Sequence, residues 1–176
     1  MTDGELDDYL DLLQQQGWKV ELVDNGGLAL NESFARRYPR IPEGYVKFLQ
    51  RVASCVNADE TVWFLCADDY NDKIKDGWTW NELEKLLLEG AEGDEQATAE
   101  IAEFWARHLP FMYSVRGDYA YLAFRVTGES YGSVVDGYDI DLMEVSDVGP
   151  TFEEFVRLHS AALQGDFGDT VLGDYV

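Results

Sequence analysis

The sequence contains only two cysteines and two histidines in 176 residues. The pattern predicts Cys55 at a helix end and Cys66 in a strand, and in a reducing compartment such a pair is typical of packing residues rather than of a disulfide. Neither His108 nor His159 has a Glu-x-x-His arrangement or a Cys-x-x-Cys pair nearby, which excludes the usual zinc-site patterns. We expect His159 to pack on the inner face of the last helix.

Positively charged side chains are also scarce. There are 13 lysines and arginines against 35 aspartates and glutamates, which gives a formal net charge of −22. A surface this negative repels the phosphates of nucleic acids and of anionic lipids, so we expect neither as a partner. The same charge attracts basic proteins and speeds their encounter. Acidity also favours solubility by itself. The charge therefore argues against nucleic-acid and lipid partners more firmly than it argues for a basic protein partner.

Long apolar runs are absent. No stretch approaches the roughly 20 apolar residues that a membrane-spanning helix needs. Residues 1–5 have neither the positive segment nor the apolar segment of a secretory signal. These features predict a cytoplasmic protein without a membrane partner.

The motifs of common enzyme classes are missing as well. There is no Gly-x-Ser-x-Gly nucleophile motif and no Walker loop. The order Asp136-Gly137-Tyr138-Asp139 differs from the EF-hand, in which glycine occupies the sixth position of the loop. The chain has 35 carboxylates, so two of them can resemble a catalytic acid–base pair by chance, and such a pair is little evidence of catalysis. We therefore expect no catalytic activity, no cofactor and no metal.

What the sequence has in quantity is core-forming material. Hydrophobic residues make up 46% of the chain and include ten Tyr, nine Phe and five Trp, which is too much for a disordered protein. Capping boxes that start at Thr2 and Thr151 predict a first and a last helix, and hairpin-like segments after Pro110 predict antiparallel strands. The chain is predicted to be a single α+β domain over residues 1–164, followed by a loosely held acidic tail, 165–176.

Residues 61–66 are the candidate for a central strand. The segment is apolar on both faces and is bounded by Asn and Asp, a pattern typical of a strand covered on both sides. It predicts a buried strand with Trp63 and Phe64 on opposite faces. Before it, a helix is predicted to start near Pro42 and to include Val52 in its apolar stripe.

Two groups of acidic residues fall in predicted turns. The first, after the predicted central strand, comprises Asp68, Asp69, Asp72 and Asp76 and is flanked by Trp78 and Trp80. The second, after a predicted strand at 134–135, comprises Asp136, Asp139, Asp141 and Glu144. If these turns project from one rim of the sheet, their fields add, and exposed tryptophans beside them would be interface anchors. All ten are candidate partner-binding residues; the alternative is a solvated rim with buried tryptophans.

Three further blocks occur in a fixed order along the chain. The first is IPEGYVKFL at 41–49; the second is HLPF at 108–111, followed by GDYAYLAF at 117–124 and GSVV at 132–135; the third is TFEEFV at 151–156. Together they resemble the SUKH superfamily, which includes bacterial immunity proteins and yeast regulators of cell-wall synthesis. The resemblance covers about residues 30–163. The family's first helix commonly runs into Asn-Gly-Gly, whereas residues 52–57 here are VASCVN.

The resemblance implies a mainly antiparallel, twisted sheet with helices packed beside it. It also implies that the chain binds a protein, because bacterial members are mostly thought to neutralise a cognate polymorphic toxin, often a nuclease. The expected function is therefore that of an immunity protein with a basic toxin domain as its partner. The alternative is a regulatory or scaffold module that binds housekeeping proteins, as the yeast relatives imply. An enzyme, such as a carboxylate-dependent hydrolase, is a third and weaker alternative.

Overall fold

The computed structural model describes residues 1–24, 27–71, 73, 77–139, 141–168 and 171–176. In this part of the chain, seven strands form one sheet in which each strand pairs with the next in sequence, and every pair is antiparallel. The strands are β1 (Lys19–Leu22), β2 (Val52–Val56), β3 (Val62–Phe64), β4 (His108–Ser114), β5 (Ala120–Arg125), β6 (Val134–Tyr138) and β7 (Val145–Gly149). The helices are α1 (Asp3–Gln15), α2 (Glu32–Arg37), α3 (Glu43–Arg51), α4 (Ala67–Tyr70), α5 (Glu82–Gly90), α6 (Glu95–Arg107) and α7 (Phe152–Leu163), followed by a short 3-10 helix, Leu172–Tyr175. The predicted single α+β domain with an antiparallel sheet is confirmed.

The three sequence blocks meet on one face of the sheet, which we call the inner face. The ring centroid of Tyr45 in α3 lies 5.1 Å from that of Phe124 in β5 and 5.4 Å from that of Phe152 in α7. Phe111 in β4 stacks on Phe124 at 4.3 Å and meets Phe155 edge-on at 5.1 Å. All five rings are buried, and aromatic rings of this kind dominate core energetics. The blocks therefore form the core between the sheet and helices α3 and α7.

The opposite face, which we call the outer face, carries a row of aromatic residues. Trp63 pairs with Tyr113, Tyr113 with Tyr121, and Tyr121 with Gly137, and directly paired residues point to the same side of a sheet. Trp105 of α6 packs on Tyr121 with 5.0 Å between ring centroids. The ring of Tyr121 also covers Gly137, where a Cβ atom would come within 2.4 Å of it. Glycine at this position therefore makes room for the ring.

Strand β3 confirms a buried strand within the segment 61–66, although it spans only Val62–Phe64. Cys66, predicted in the strand, is instead the N-cap of α4. Strand β3 is enclosed between β2 and β4 in the sheet. Phe64 lies on the inner face, 4.8 Å from Phe48 between ring centroids, and Trp63 lies on the outer face, 5.8 Å from Tyr113. The two neighbouring side chains therefore serve opposite sides of the sheet, as the pleat of a strand requires.

Strand β2 corrects the prediction that Val52 belongs to a helical stripe and Cys55 to a helix end. Helix α3 ends at Arg51, and Val52 already has extended backbone angles, with φ −113° and ψ 121°. Cys55 is paired with Phe64 of β3. The β-branched valines at both ends of β2 favour a strand, and pairing with β1 and β3 satisfies its backbone groups on both sides. This is also where the sequence departs from the SUKH pattern.

The C-terminal segment 171–176 corrects the prediction of a loosely held tail. Leu172 and Tyr175 are fully buried. The Tyr175 hydroxyl donates a hydrogen bond to Asp136 Oδ1 at 2.6 Å, and Ser114 Oγ donates to the carbonyl of Asp174 at 2.6 Å. The abundance of Gly and Asp suggested disorder, but two large side chains are enough to bind this segment to the core.

His159 confirms the prediction of a packing histidine. Its Nε2 lies 2.8 Å from the carbonyl oxygen of Tyr175, and its Nδ1 lies 2.6 Å from the hydroxyl of Tyr9. Because a carbonyl can only accept, Nε2 carries the proton and Nδ1 accepts from Tyr9. Burial lowers the pKa of His159 to about 4. The neutral ring therefore joins α1, α7 and the C-terminal segment.

Candidate protein-binding site

The first acidic group begins in α4, immediately after β3. Asp69 Oδ2 accepts a hydrogen bond from the backbone N–H of Cys66 at 2.6 Å, so it caps the start of this short helix. Asp68 is exposed and accepts from Lys73 Nζ at 2.7 Å. Asp72 and Asp76, the other two candidates of this group, lie outside the described residues. The described pair therefore comprises one capping carboxylate and one solvent-facing carboxylate.

The second acidic group is divided by the structure. Asp136 is not in a turn: it lies within β6, is 6% exposed and accepts the hydrogen bond from Tyr175. Asp139, Asp141 and Glu144 are exposed between β6 and β7, and the backbone N–H of Met143 donates to Asp141 Oδ1. Asp136 is therefore a structural residue, and only the other three remain on the surface.

The two acidic groups do not share a rim of the sheet, which corrects the interpretation made from the sequence. β3 and β6 are three antiparallel steps apart, so they run in opposite directions. Asp68 and Asp69 follow the C-terminal end of β3, and Asp139 follows the C-terminal end of β6. The alternation of direction therefore places the groups at opposite ends of the sheet.

The two flanking tryptophans also have different roles. Trp80 is 8% exposed, its ring meets that of Phe34 edge-on at 5.3 Å, and its carbonyl accepts from the Tyr113 hydroxyl at 2.6 Å. This corrects its assignment as an interface anchor, because a buried ring is not available to a partner. Trp78 is half-buried on the outer face, where Tyr119 packs edge-on against it at 4.8 Å.

Trp78 forms one wall of a groove over β2 and β3. Its ring meets that of Trp63 at 88° with 5.8 Å between centroids, and Tyr113 supports it from behind at 5.7 Å. The preceding residue, Gly77, has φ +121°, a conformation that side-chain-bearing residues rarely adopt. A glycine is therefore required where the chain turns to lay Trp78 on the sheet.

We call this cavity of about 290 Å³ the Trp78 groove. Its lining comprises Ala53, Ser54, Cys55, Val56, Trp63, Phe64, Asp68, Asp69, Gly77 and Trp78. Strand β2 supplies the floor, the two indoles supply aromatic walls, and α4 supplies the two carboxylates. The structure thus brings together three of the predicted site residues, Asp68, Asp69 and Trp78.

The electrostatics of the Trp78 groove are set by partial burial of one carboxylate. Burial raises the pKa of Asp69 to about 6, and the backbone N–H of Cys66 opposes this rise. The neighbouring charge of Asp68 raises this pKa further. The groove is therefore a negative, partly desolvated site beside two packed indole rings.

Trp63 is the site residue that sequence reasoning missed. The alternation in β3 correctly placed its side chain opposite Phe64. A groove, however, forms only because a second aromatic side chain packs beside Trp63. That second side chain, Trp78, comes back over the sheet fifteen positions later in the sequence. The pattern of residues around Trp63 does not indicate that Trp78 packs against it.

Metal-ligand clusters and membrane-spanning helices were sought among the described residues. Within the described residues, no three or more His, Cys, Asp or Glu side chains are grouped so as to hold a metal ion. In the same part of the chain, no helix combines the length and the apolar character that crossing a lipid bilayer requires.

A larger cavity of about 540 Å³ lies between α1 and α7 and is lined in part by Tyr9, Leu12 and Val156.

Comparison of the chain with models of protein families, with curated proteins and with solved structures gave no match. The resemblance to the SUKH superfamily therefore rests on the three sequence blocks.

Proposed function

We propose that the chain is a protein-binding domain that acts as an immunity protein and neutralises a basic toxin domain. The observation that carries this proposal is the Trp78 groove, in which partly buried aromatic rings stand beside two carboxylates in a chain of net charge −22. The immunity role comes from the resemblance to the SUKH superfamily. A toxin that cleaves nucleic acid would carry a basic surface, which the acidic chain attracts and covers.

The surroundings of Trp78 support its use as an anchor. Tryptophan and tyrosine residues that are held rigid before binding lose little conformational entropy in a complex, and they are frequent hot spots. Trp78 is fixed by edge-on contacts with Trp63, Tyr113 and Tyr119. Tyr119 is itself 40% exposed, and its carbonyl accepts from the backbone N–H of Asp139 at 2.6 Å. The aromatic surface thus extends from the groove towards the second acidic group.

The described thiols and imidazoles also support binding rather than catalysis. Cys55 and Cys66 are buried free thiols whose pKa values are raised by burial, so neither is an activated nucleophile. Both nitrogens of His159 are engaged inside the core. His108 Nδ1 donates to the carbonyl of Phe104 at 2.9 Å, and burial lowers the pKa of this imidazole.

The test is to look for a toxin gene beside this one and to measure the kinetics of binding to its toxin domain by surface plasmon resonance, at low and at physiological salt. Trp78→Ala should speed dissociation, at a cost of about 2 kcal/mol, or about 30-fold in affinity. Asp68→Lys should slow association at low salt and flatten its salt dependence. Glu100→Lys on α6 makes the same charge change outside the groove and is the matched control.

Two results would contradict the proposal at different levels. If the neighbouring gene encodes no toxin, or if the toxin does not bind, the immunity role is wrong, and the regulatory or scaffold alternative takes its place. If the toxin binds but neither Trp78→Ala nor Asp68→Lys differs from Glu100→Lys, the groove is not the binding site.

A further inference from the structure

We propose that the Trp78 groove is a receptor for one cationic side chain, a lysine or an arginine, which the partner inserts into the cavity that Trp63 and Trp78 line. This inference rests on the proposed function, because it names the chemical group by which a basic partner is held.

The two indole rings provide the first part of such a receptor. They meet at 88° with 5.8 Å between centroids, so they form a corner rather than a stack. A cation within about 6 Å of an aromatic face is attracted by the ring quadrupole, and tryptophan attracts it most strongly. Aromatic cages recognise ammonium groups by the same attraction.

The chain already contains this type of contact elsewhere. The guanidinium of Arg37 lies 5.6 Å from the ring centroid of Trp80, and that of Arg40 lies 4.3 Å from the ring centroid of Tyr131. Among the described residues, however, no lysine or arginine stands over Trp63 or Trp78. Within that part of the molecule, the indole corner is thus not used by an internal cation.

The carboxylates of α4 provide the second part. Asp68 and Asp69 line the same cavity as the two rings. The ion pair between Asp68 and Lys73 is solvent-exposed, with side-chain exposures of 60% and 63%, and such pairs contribute little to stability. An incoming cation can therefore replace Lys73. Asp69 is partly buried, and screening by salt is weaker for a partly buried charge than for an exposed one.

The size of the cavity fits one long side chain. About 290 Å³ is near the lower end of the range for ligand pockets, and the floor of β2 offers Val56 to the methylene stem of a lysine or arginine. The larger cavity between α1 and α7 is less suitable for a cation. Of its three carboxylates, Glu5, Asp8 and Glu153, the last is paired with the amino group of Met1 at 2.8 Å, and two cations, that amino group and Arg157, already stand in the lining.

The test uses the whole protein without a partner. Protein labelled with ¹⁵N is titrated with the Nα-acetyl N-methylamides of lysine, arginine and norleucine, and the indole N–H resonances of Trp63 and Trp78 are followed. We expect saturable shifts with the lysine or the arginine derivative and affinity weaker by about tenfold or more for norleucine, which has the aliphatic chain without the charge. The two cationic probes show which side chain the groove prefers.

Variants separate recognition from folding. Asp69→Asn should weaken binding of the cationic probes by about fivefold or more, while the dispersion of the amide resonances remains that of the native protein. Asp68→Asn should weaken it less, and Glu100→Gln should leave it unchanged. Because Asp69 caps α4, Asp68→Asn keeps the test valid if Asp69→Asn perturbs the fold.

Equal shifts with norleucine, or shifts that grow linearly without saturation, would overturn the inference. This outcome is distinct from failure of the proposed function, which is decided by the toxin measurement. A toxin that binds through Trp78 while the probes do not bind would leave the interface in place and remove the cation receptor.

Discussion

The hydroxyl of Tyr175 donates a hydrogen bond of 2.6 Å to Asp136 Oδ1 and so ties the C-terminal 3-10 helix to the interior of β6. Burial raises the pKa of Asp136, and the hydrogen bond from Tyr175 opposes this rise. The contact explains two differences from the sequence-based prediction at once. Asp136, expected in a solvated turn, is buried. The C-terminal segment, expected to be loosely held, supplies the hydroxyl that donates a hydrogen bond to it.

Tyr175→Phe should therefore destabilise the fold by about 2 kcal/mol at neutral pH, because it removes a hydrogen bond to a buried charged group. The loss should shrink as the pH falls. A buried carboxylate with a raised pKa takes up a proton in the folded state before the unfolded state does, and the protonated group no longer needs this donor. Urea denaturation at neutral pH and near pH 4 measures both effects. Tyr138→Phe, on a ring that is 54% exposed, should change stability by less than about 0.5 kcal/mol.

An equal loss at both pH values would contradict this role for Asp136. It would show that Tyr175 stabilises the C-terminal segment by packing of its ring, independently of the carboxylate.

The ion pair between Arg37 and Glu84 should be strongly coupled. Nη1 and Nη2 of Arg37 donate to the two carboxylate oxygens of Glu84 at 2.8 and 2.7 Å, and Glu84 is 6% exposed. Arg37→Met should cost about 3–5 kcal/mol, because it leaves a buried charge without a partner. The double variant Arg37→Met/Glu84→Leu should recover most of that loss.

Arg36 and Glu32 provide the matched control on the same helix. Their side chains are 76% and 88% exposed, so Arg36→Ala should change the free energy of unfolding by less than about 1 kcal/mol. If Arg37→Met proves as mild as Arg36→Ala, or if the double variant is as unstable as the single one, the pair is not coupled as the geometry indicates.

Helix starts and core faces were the features that the sequence predicted best. The Thr2–Glu5 capping box is present in both directions, because its partners lie three positions apart and need no tertiary context. The second box is half present. Thr151 Oγ1 accepts from the backbone N–H of Glu154, whereas the Glu154 carboxylate accepts from Arg157. Even a local motif is thus altered when a competing cation lies one turn away.

The features that the sequence did not predict depend on distant partners. Asp136 lies in a polar pattern that is typical of a turn, and the hydroxyl that donates to it inside the core belongs to Tyr175, 39 positions away. Trp78 and Trp80 are separated by one residue, and nothing local distinguishes the half-exposed ring from the buried one. Which of them can contact a partner is decided by where Trp63 and Phe34 lie.

Gly137 offers a test of packing on the outer face. A Cβ atom there would lie within 2.4 Å of the Tyr121 ring, whose hydroxyl donates to the carbonyl of Leu142 and holds the ring in place. Gly137→Ala should therefore destabilise the fold by about 1–3 kcal/mol. Gly90→Ala is the control, because a Cβ at that helical position meets no atom within 4 Å. Gly90→Ala should stabilise the fold slightly. Thermal unfolding of both variants shows whether the midpoint temperature falls for Gly137→Ala and rises for Gly90→Ala.

The Trp78 groove should bind cations more tightly as the pH rises through the titration of Asp69. Burial raises the pKa of Asp69 to about 6, so below that pH the folded protein carries this carboxyl in its neutral form and has one charge fewer to offer. By linkage, a bound cation lowers the pKa of Asp69, and affinity for the lysine probe increases from about pH 5 to about pH 7. The lysine probe keeps its charge throughout, since its pKa is near 10.4.

Three groups that interact electrostatically with Asp69 keep their protonation state in this window. The Cys66 thiol and the phenols of Tyr45 and Tyr70 have pKa values raised by burial and stay neutral. His159 titrates near 4, inside the core. Titration of the wild-type protein and of Asp69→Asn with the lysine probe at several pH values is the measurement. The increase should be present in the wild type and absent in Asp69→Asn; an increase that persists in the variant would assign the pH dependence to another group and leave Asp69 without a role in binding the cation.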